Sequence, residues 1–370
     1  MPRSRKDLVQ RGLVGQALTA EQWRLLAYYS WDTDEQQVLS TKDLPARLEQ
    51  LAGRVPADLP LVRDRLAFKA LVARAQAGTP DAAAIAEARK LVDNFLGNPD
   101  AIRAAPDLLA FYADPVVAYL APAGEQRKTL ASRWDSALAG LLKSQALSRA
   151  DAVGVWDSRV TLWKMMNANG ELTDSQRADV LHALGGIVAA TSDRYERQAV
   201  VPDGAHVLAE AGLLDRSDEL LKYELPHAVA PYYHMLVLGG NAAKRHDTKS
   251  ALAWYEQAWK KSEGPATKIQ WGAGFVGHIV ELSPADVGRV ESAASAVIAQ
   301  LAPKGETFYE RNQRSLQRMA RRLVKWEGSD PARQRSVEKI KRQLAKTCGR
   351  LPAGEPGRAN CDSVFSPTAS

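Results

Sequence analysis

Apolar residues recur every three or four positions along almost the whole chain, which is the spacing of one face of an α-helix. Alternating runs of β-branched residues, which mark half-buried strands, are missing from the sequence. The pattern predicts an all-α fold of about fourteen helices or more, joined by short loops. We expect these helices to stack as antiparallel hairpins, in the manner of a TPR-like α-solenoid or α-α superhelix.

Several helix starts are marked by capping residues. Thr19 and Thr173 are each followed by Gln three positions later, the arrangement of a capping box. Ser283 and Asp330 each stand directly before a proline, which is favoured at the first position of a helix. The sequence therefore predicts that a helix begins immediately after each of these four residues.

The clearest hairpin is the segment 232–265, which resembles the tetratricopeptide pattern. In that pattern a small residue, here Gly239, lets the first helix approach the second. Ala251, Tyr255 and Ala258 would form the face that meets the next hairpin. The alternative is an ordinary pair of helices with small residues at their crossing. Both interpretations predict stacked hairpins from about residue 200 onward, and such arrays commonly bind peptides or proteins.

Three segments follow from this organisation: an N-terminal helical array at 1–200, TPR-like hairpins at 201–327, and a basic C-terminal helix with a closed tail at 328–370.

The composition, 45% hydrophobic and 25% charged, is that of an ordinary folded protein. The net charge of +6 is concentrated near one end, since residues 301–350 hold 14 Lys and Arg against 5 Asp and Glu. That end is where a negatively charged partner would dock.

No stretch of about 18 consecutive apolar residues occurs, so we expect no transmembrane segment. The first residues are basic but lack the apolar core of a signal peptide. Taken by itself, this start predicts a cytoplasmic protein, unless a preceding segment belongs to the gene.

The stretch GAGFVG at 272–277 matches the G-x-G-x-x-G letters of a dinucleotide site. A dinucleotide site requires a parallel strand before the glycines and a helix after them, and no strand is predicted here. We therefore interpret the glycines as positions of close helix packing. Similarly, Trp254, Trp259 and Trp271 are interpreted as core residues between hairpins.

No catalytic, cofactor-binding or metal-binding residue is predicted. The six histidines show no metal-ligand spacing, and no serine lies in a nucleophile motif. Asp32, Asp34 and Glu35 lack the spacing of a calcium loop and are interpreted as a solvated turn.

A basic amphipathic helix is the best candidate for a partner surface. Leu316, Ala320, Leu323 and Trp326 recur at helical spacing and should face inward. The residues predicted to form the opposite, partner-binding face are Arg314, Arg318, Arg321, Arg322 and Lys325. The alternatives are a merely solvated face, an acidic protein or membrane surface, and nucleic acid. Nucleic acid is the least favoured of these, because no aromatic residues interleave with the arginines.

The two cysteines, Cys348 and Cys361, are separated by 12 residues rich in Gly and Pro. A catalytic redox pair is disfavoured, because C-x-x-C spacing is absent and Cys348 lies at a helix C-terminus. A structural disulfide is predicted, with free thiols as the alternative. Such a bond points to an oxidising compartment, which conflicts with the missing signal peptide.

Four stretches, 18–37, 251–272, 308–326 and 348–361, resemble the helical region that follows the thioredoxin domain in bacterial extracytoplasmic thioredoxin-family proteins. The W-C-x-x-C site of that family is absent, so no catalytic residue carries over. The resemblance implies a periplasmic location, protein or peptide clients, and an origin as part of a longer chain.

The resulting hypothesis is a non-catalytic helical-repeat module that binds proteins and is associated with a thioredoxin-family protein. The alternative is a cytoplasmic binder of nucleic acid or another anionic partner, acting through the basic C-terminal helices. The sequence leaves the oligomeric state open.

Overall fold

The computed structural model describes residues 5–29, 31, 39–78, 82–144 and 147–366 of the 370-residue chain. These residues form twenty α-helices and two short 3-10 helices, with no strand among them. The predicted all-α fold is confirmed. The predicted turn at Asp32, Asp34 and Glu35 lies outside the described residues.

The chain divides into two compact units, and the division falls within the helix α12 (Arg194–Glu210). The first unit contains residues 1–192 and 207–213. Its helices are α1 (Arg5–Val14), α2 (Ala20–Ala27), α3 (Leu44–Ala52), α4 (Pro60–Ala77), α5 (Ala82–Leu96), α6 (Pro99–Ala104), α7 (Pro106–Phe111), α8 (Ala113–Leu120), α9 (Gly124–Lys143), α10 (Arg149–Met166) and α11 (Asp174–Ala190).

The second unit contains residues 193–206 and 214–370. Its 3-10 helices are Leu225–His227 and Gly305–Phe308. Its α-helices after α12 are α13 (Leu214–Glu224), α14 (Pro231–Lys244), α15 (Thr248–Lys261), α16 (Pro265–Leu282), α17 (Val287–Ala299), α18 (Glu310–Glu327), α19 (Pro331–Cys348) and α20 (Pro356–Asp362).

Helices α14 to α19 pack on one another as a connected group. Each packs on the next along the chain from α14 to α17, as do α18 and α19. In addition, α16 packs on α18 and α17 packs on α19. Consecutive helices that are joined by loops of a few residues run antiparallel. This arrangement is the stack of helical hairpins that the sequence predicts.

One hydrophobic core extends through these hairpins. Its buried residues run from Ala242 in α14 to Val364 after α20, and include Leu323 of α18 and Ile340 of α19. The segment predicted as separate, 328–370, thus shares a core with the hairpins before it.

Three of the four predicted helix starts are confirmed. Thr19 and Thr173 form capping boxes, and Asp330 accepts hydrogen bonds from backbone N–H groups at the start of α19. The prediction for Ser283 is wrong: α17 begins at Val287, capped by Asp286. Asp286 competes successfully as the cap, because its side chain accepts a hydrogen bond from the Arg289 N–H at 3.0 Å, and the Pro284 carbonyl, outside the helix, accepts one from Trp326 Nε1 at 2.8 Å.

Glycines allow the closest helix contacts in the second unit. A Cβ atom built on Gly239 would lie 2.7 Å from Cε1 of Tyr255, so α14 approaches α15 only because the residue is glycine. GAGFVG lies within α16, where a Cβ on Gly272 would lie 2.7 Å from Trp259 Nε1. Close packing, as predicted for this motif, is confirmed for Gly272.

Candidate functional site

The predicted basic helix is α18, and its two faces separate as the sequence indicates. Leu316, Ala320, Leu323 and Trp326 are buried. Arg318, Arg321, Arg322 and Lys325 are exposed, and Arg314 is half-buried. The cationic side chains therefore cover the side of α18 that is turned away from the core.

Four of the exposed cations of α18 have no carboxylate partner among the described residues. Within the described part of the chain, Arg318, Arg321, Arg322 and Lys325 form no ion pair with a carboxylate. Partial burial, together with the charges of Arg314, Arg321 and Arg322, lowers the pKa of Arg318. Its guanidinium donates a hydrogen bond to Ser315 Oγ at 2.9 Å. These like charges are therefore held close together, and their mutual repulsion raises the free energy of the folded protein. A bound anion would reduce that repulsion.

Arg322 does not point straight into solvent. A Cβ atom at Gly277 would overlap Arg322 Nη1, so the guanidinium lies across α16 at a position where only glycine leaves room. It also lies close enough to His278 for its charge to lower the pKa of that ring. The Arg322 side chain therefore extends from the basic side of α18 onto the surface of α16 at Gly277.

His278 lies near the C-terminal end of α16 and is half-buried. Its ring stacks on Tyr255, with centroids 3.7 Å apart and planes at 5°. Burial, assisted by the Arg322 charge, lowers the pKa of His278, and Glu281 acts in the opposite direction. The imidazole is therefore held in its neutral, stacked form.

Three aromatic rings lie at the other end of α16. Trp271 makes edge contacts with Tyr232 and Tyr233 of α14, each with centroids 5.1 Å apart. Tyr233 is 45% exposed, and the other two side chains are half-buried. Trp259 is buried, as the sequence predicts, whereas Trp271 is shared between the core and the surface.

Trp271, Gly274 and His278 recur at helical spacing, so they lie along one side of α16. A Cβ atom on Gly274 would meet no atom within 4 Å, so the surface is open there. We call this surface the cationic–aromatic face; its residues are Tyr232, Tyr233, Trp271, Gly274, His278, Arg318, Arg321, Arg322 and Lys325.

Sequence reasoning found only the arginine and lysine part of this face. Tyr232 and Tyr233 were missed because their contact with Trp271 joins residues far apart in the chain. The tyrosine pair at the start of a helix, next to a proline at 231, was the one available signal.

A second concavity, of about 450 Å³, lies between α15, α16 and α17. Its cations are already partly neutralised, because Glu256 pairs with Lys260 at 2.6 Å and with Arg289 at 3.2 Å. The hydrogen bond from Lys260 contributes most to the lowered pKa of Glu256. This concavity therefore offers less unbalanced charge than the cationic–aromatic face.

The two cysteines lie at the end of α19 and in α20. Their sulfur atoms are at disulfide distance, with Cα atoms 5.6 Å apart, and both residues are buried. The segment they close returns α20 to the 3-10 helix Gly305–Phe308, where Gly357 packs directly on Gly305. The bond thus fixes the end of the second unit and presents no thiol at the surface.

Two histidines, His234 and His278, make the stability of the fold depend on pH. His234 is 2% exposed and its Nδ1 atom has no hydrogen-bond partner among the described residues. Burial lowers the pKa of His234 below its ordinary 6.5, against the opposing charge of Glu224, and burial acts the same way on His278. The unfolded chain takes up a proton at each of these histidines more readily than the folded chain does. The stability that the neutral histidines contribute is therefore present above pH 6.5 and is lost as the pH falls.

We expect the free energy of unfolding to fall as the pH is lowered from 7.5 to 5.5, because both pKa values are lower in the folded chain than in the unfolded one. Denaturant unfolding curves at several pH values measure this slope. His234→Gln should reduce the slope, and His206→Gln, at an exposed position, controls for the loss of an imidazole. A slope that is unchanged by His234→Gln would contradict the assignment.

Fold and site together define an all-α protein of stacked helical hairpins with an exposed cationic and aromatic surface on its second unit. No protein-family model matches the chain, and no curated protein matches it significantly. Among the described residues, none of the helices combines the length and apolar character needed to cross a bilayer. In the same residues, no three His, Cys, Asp or Glu side chains are grouped so as to hold a metal ion.

Proposed function

We propose that this chain is a non-catalytic helical-repeat module that binds a protein or peptide partner through the cationic–aromatic face. The observation that carries the proposal is a group of exposed cations that form no ion pair with a carboxylate among the described residues: Arg318, Arg321, Arg322 and Lys325. An acidic partner would remove the mutual repulsion of these charges. The adjoining aromatic rings offer an apolar surface, and protein interfaces commonly bury such rings at their centre.

The arrangement of the two basic helices favours a protein over nucleic acid. The sequence predicts basic faces on both helices, but Arg333 and Lys341 of α19 already form ion pairs with Asp330 and Glu327. Lys339 of α19 is also paired with Glu291 of α17. A polyanion needs a continuous track of cations, whereas a short acidic segment needs only the local group on α18.

We further propose that the module works beside a thioredoxin-family protein in an oxidising compartment. This part of the proposal is supported by the sequence resemblance and by the pair Cys348 and Cys361 at disulfide distance. Because both sulfur atoms are buried, the module's part in such work would be to hold clients or dock partners, and electron transfer would fall to the thioredoxin site.

Charge neutralisation tests the binding surface. The triple variant Arg318→Ala, Arg321→Ala and Lys325→Ala removes three cations from α18. The matched control, Arg335→Ala, Arg342→Ala and Lys346→Ala, removes three exposed cations from α19. Proteins recovered with the tagged full chain from an extract, with and without nuclease treatment, are quantified by mass spectrometry at low and moderate salt.

We expect the α18 variant to lose at least ten-fold of its specifically bound proteins while the α19 variant keeps them. Recovery should also fall as salt rises, because exposed charges are screened. Equal losses in the two variants would refute the assignment to this face. Loss of the parent protein's binding on nuclease treatment would favour the alternative function.

A further inference from the structure

The concavity between α15, α16 and α17 has the size and the lining of a site for a small molecule. Helix α16 packs on both α15 and α17, and all three helices contribute to the lining. The volume of about 450 Å³ lies within the range of about 300–1,000 Å³ that is typical of small-molecule pockets. The concavity shares no residue with the cationic–aromatic face.

Part of this lining is apolar and already ordered. Trp259 of α15 and Phe275 of α16 pack together with ring centroids 5.6 Å apart, and Ala293 and Ala296 of α17 complete the apolar lining. Both rings belong to the core of the second unit, which holds them in place without a ligand. An apolar group that enters the concavity therefore buries surface without the entropic cost of ordering these rings.

Cations outnumber carboxylates in the rest of the lining. Lys260, Lys268 and Arg289 line the concavity together with one carboxylate, Glu256. Both oxygens of Glu256 are engaged, one with Lys260 at 2.6 Å and the other with Arg289 at 3.2 Å. Lys268 is half-buried and forms no ion pair with any of the described residues. A half-buried ammonium is screened less by solvent than an exposed one, so it favours an anion beside it.

We propose that this concavity binds a small organic anion that has an apolar ring system and a single carboxylate. The ring system packs against Trp259 and Phe275, and the carboxylate pairs with Lys268. The ion pair between Glu256 and Arg289 links α15 to α17, so the two helices that flank the ligand are joined before it binds. This inference does not depend on the proposed function, because it concerns a different set of residues.

The probe is naphthylacetate, and the comparison ligand is naphthylacetamide, which has the same ring system without the charge. Binding of each ligand to the full chain is measured by isothermal titration calorimetry. Lys268→Gln removes the cation and keeps a polar side chain. Ser292→Trp places a large ring at an exposed position of the lining, where it fills the concavity without entering the core.

We expect naphthylacetate to bind at least about five-fold more tightly than naphthylacetamide, because only the carboxylate gains from the ammonium. Lys268→Gln should abolish this preference by weakening the binding of naphthylacetate alone. Ser292→Trp should weaken the binding of both ligands about ten-fold or more, because it occupies their volume. The matched controls are Lys261→Gln, at the end of α15, and Ser132→Trp, in α9; both positions are exposed and lie outside the concavity, so binding should be unchanged. Circular dichroism of each variant verifies that the helices are intact.

Three results would overturn the inference: no saturable binding of naphthylacetate, equal affinity for the two ligands, or unchanged binding by Ser292→Trp. The triple variant of α18 should bind naphthylacetate as the parent protein does. Capture of proteins by the cationic–aromatic face and binding of the small anion are therefore measured separately, and either proposal can fail without the other.

Discussion

Trp134→Ala is expected to lower the free energy of unfolding by about 3 to 5 kcal/mol, because it removes the largest fully buried side chain among the described residues. Trp134 lies in α9 and packs 6.0 Å from Phe68, centroid to centroid. Phe68 in turn packs on Phe95 at 4.8 Å. Removing the indole leaves a cavity at the centre of the first unit that α4 and α5 cannot fill without moving.

Trp134 stabilises the first unit both by packing and through a hydrogen bond, and a second variant separates these two contributions. Trp134 Nε1 donates to the Leu109 carbonyl at 2.9 Å. Trp134→Phe keeps an aromatic ring but loses this bond, so we expect a smaller loss of about 1 to 2 kcal/mol. The exposed Ser132→Ala in the same helix should change stability by less than about 0.5 kcal/mol.

Denaturant unfolding followed by circular dichroism measures these differences, and hydrogen exchange locates them. The exchange rates should rise in α4, α8 and α9 and stay unchanged in α14 to α19, because the substituted core belongs to the first unit. A Trp134→Ala protein as stable as the parent would show that this cluster does not hold the unit together.

Loss of the disulfide is the second large effect. Opening the bond between Cys348 and Cys361, whose sequence separation is 13, is expected to cost about 3 kcal/mol by the chain-entropy estimate. The double variant Cys348→Ala and Cys361→Ala should match the reduced parent protein in stability. Alanine is preferred to serine because both positions are buried and a hydroxyl would lack a partner.

The control for this prediction is the reductant itself. A reducing agent should destabilise the parent protein and leave the double variant unchanged. Hydrogen exchange in α20 should increase in both, since α20 is a short helix whose contacts depend on its return to Gly305. Two titratable thiols in the unfolded but unreduced protein would disprove the bond.

Local signals in the sequence were sufficient for most of the fold. Capping by Thr19, Thr173 and Asp330 depends on hydrogen bonds within four residues, so it can be identified without knowledge of the neighbours. The buried and exposed sides of α18 follow from helical periodicity in the same way. Ser283 shows the limit, because two capping residues, Ser283 and Asp286, compete within four positions and only the structure shows that Asp286 caps α17.

The candidate site was only partly predictable. The charges of α18 are visible in the sequence, but which of them form ion pairs among the described residues depends on which helices pack beside α18. The resemblance to thioredoxin-associated helical regions, and the compartment it implies, remain predictions.

By itself, the sequence determined the helices, their buried sides, and the cations available for binding, because each depends on periodicity and capping within a few residues. The tertiary structure alone decided that Trp271 meets Tyr232 and Tyr233, and that Arg322 crosses α16 at Gly277. The physical reason is that a helix's sequence specifies which of its sides is apolar, whereas the neighbour that covers it, and the surface the two then share, depend on packing between distant segments.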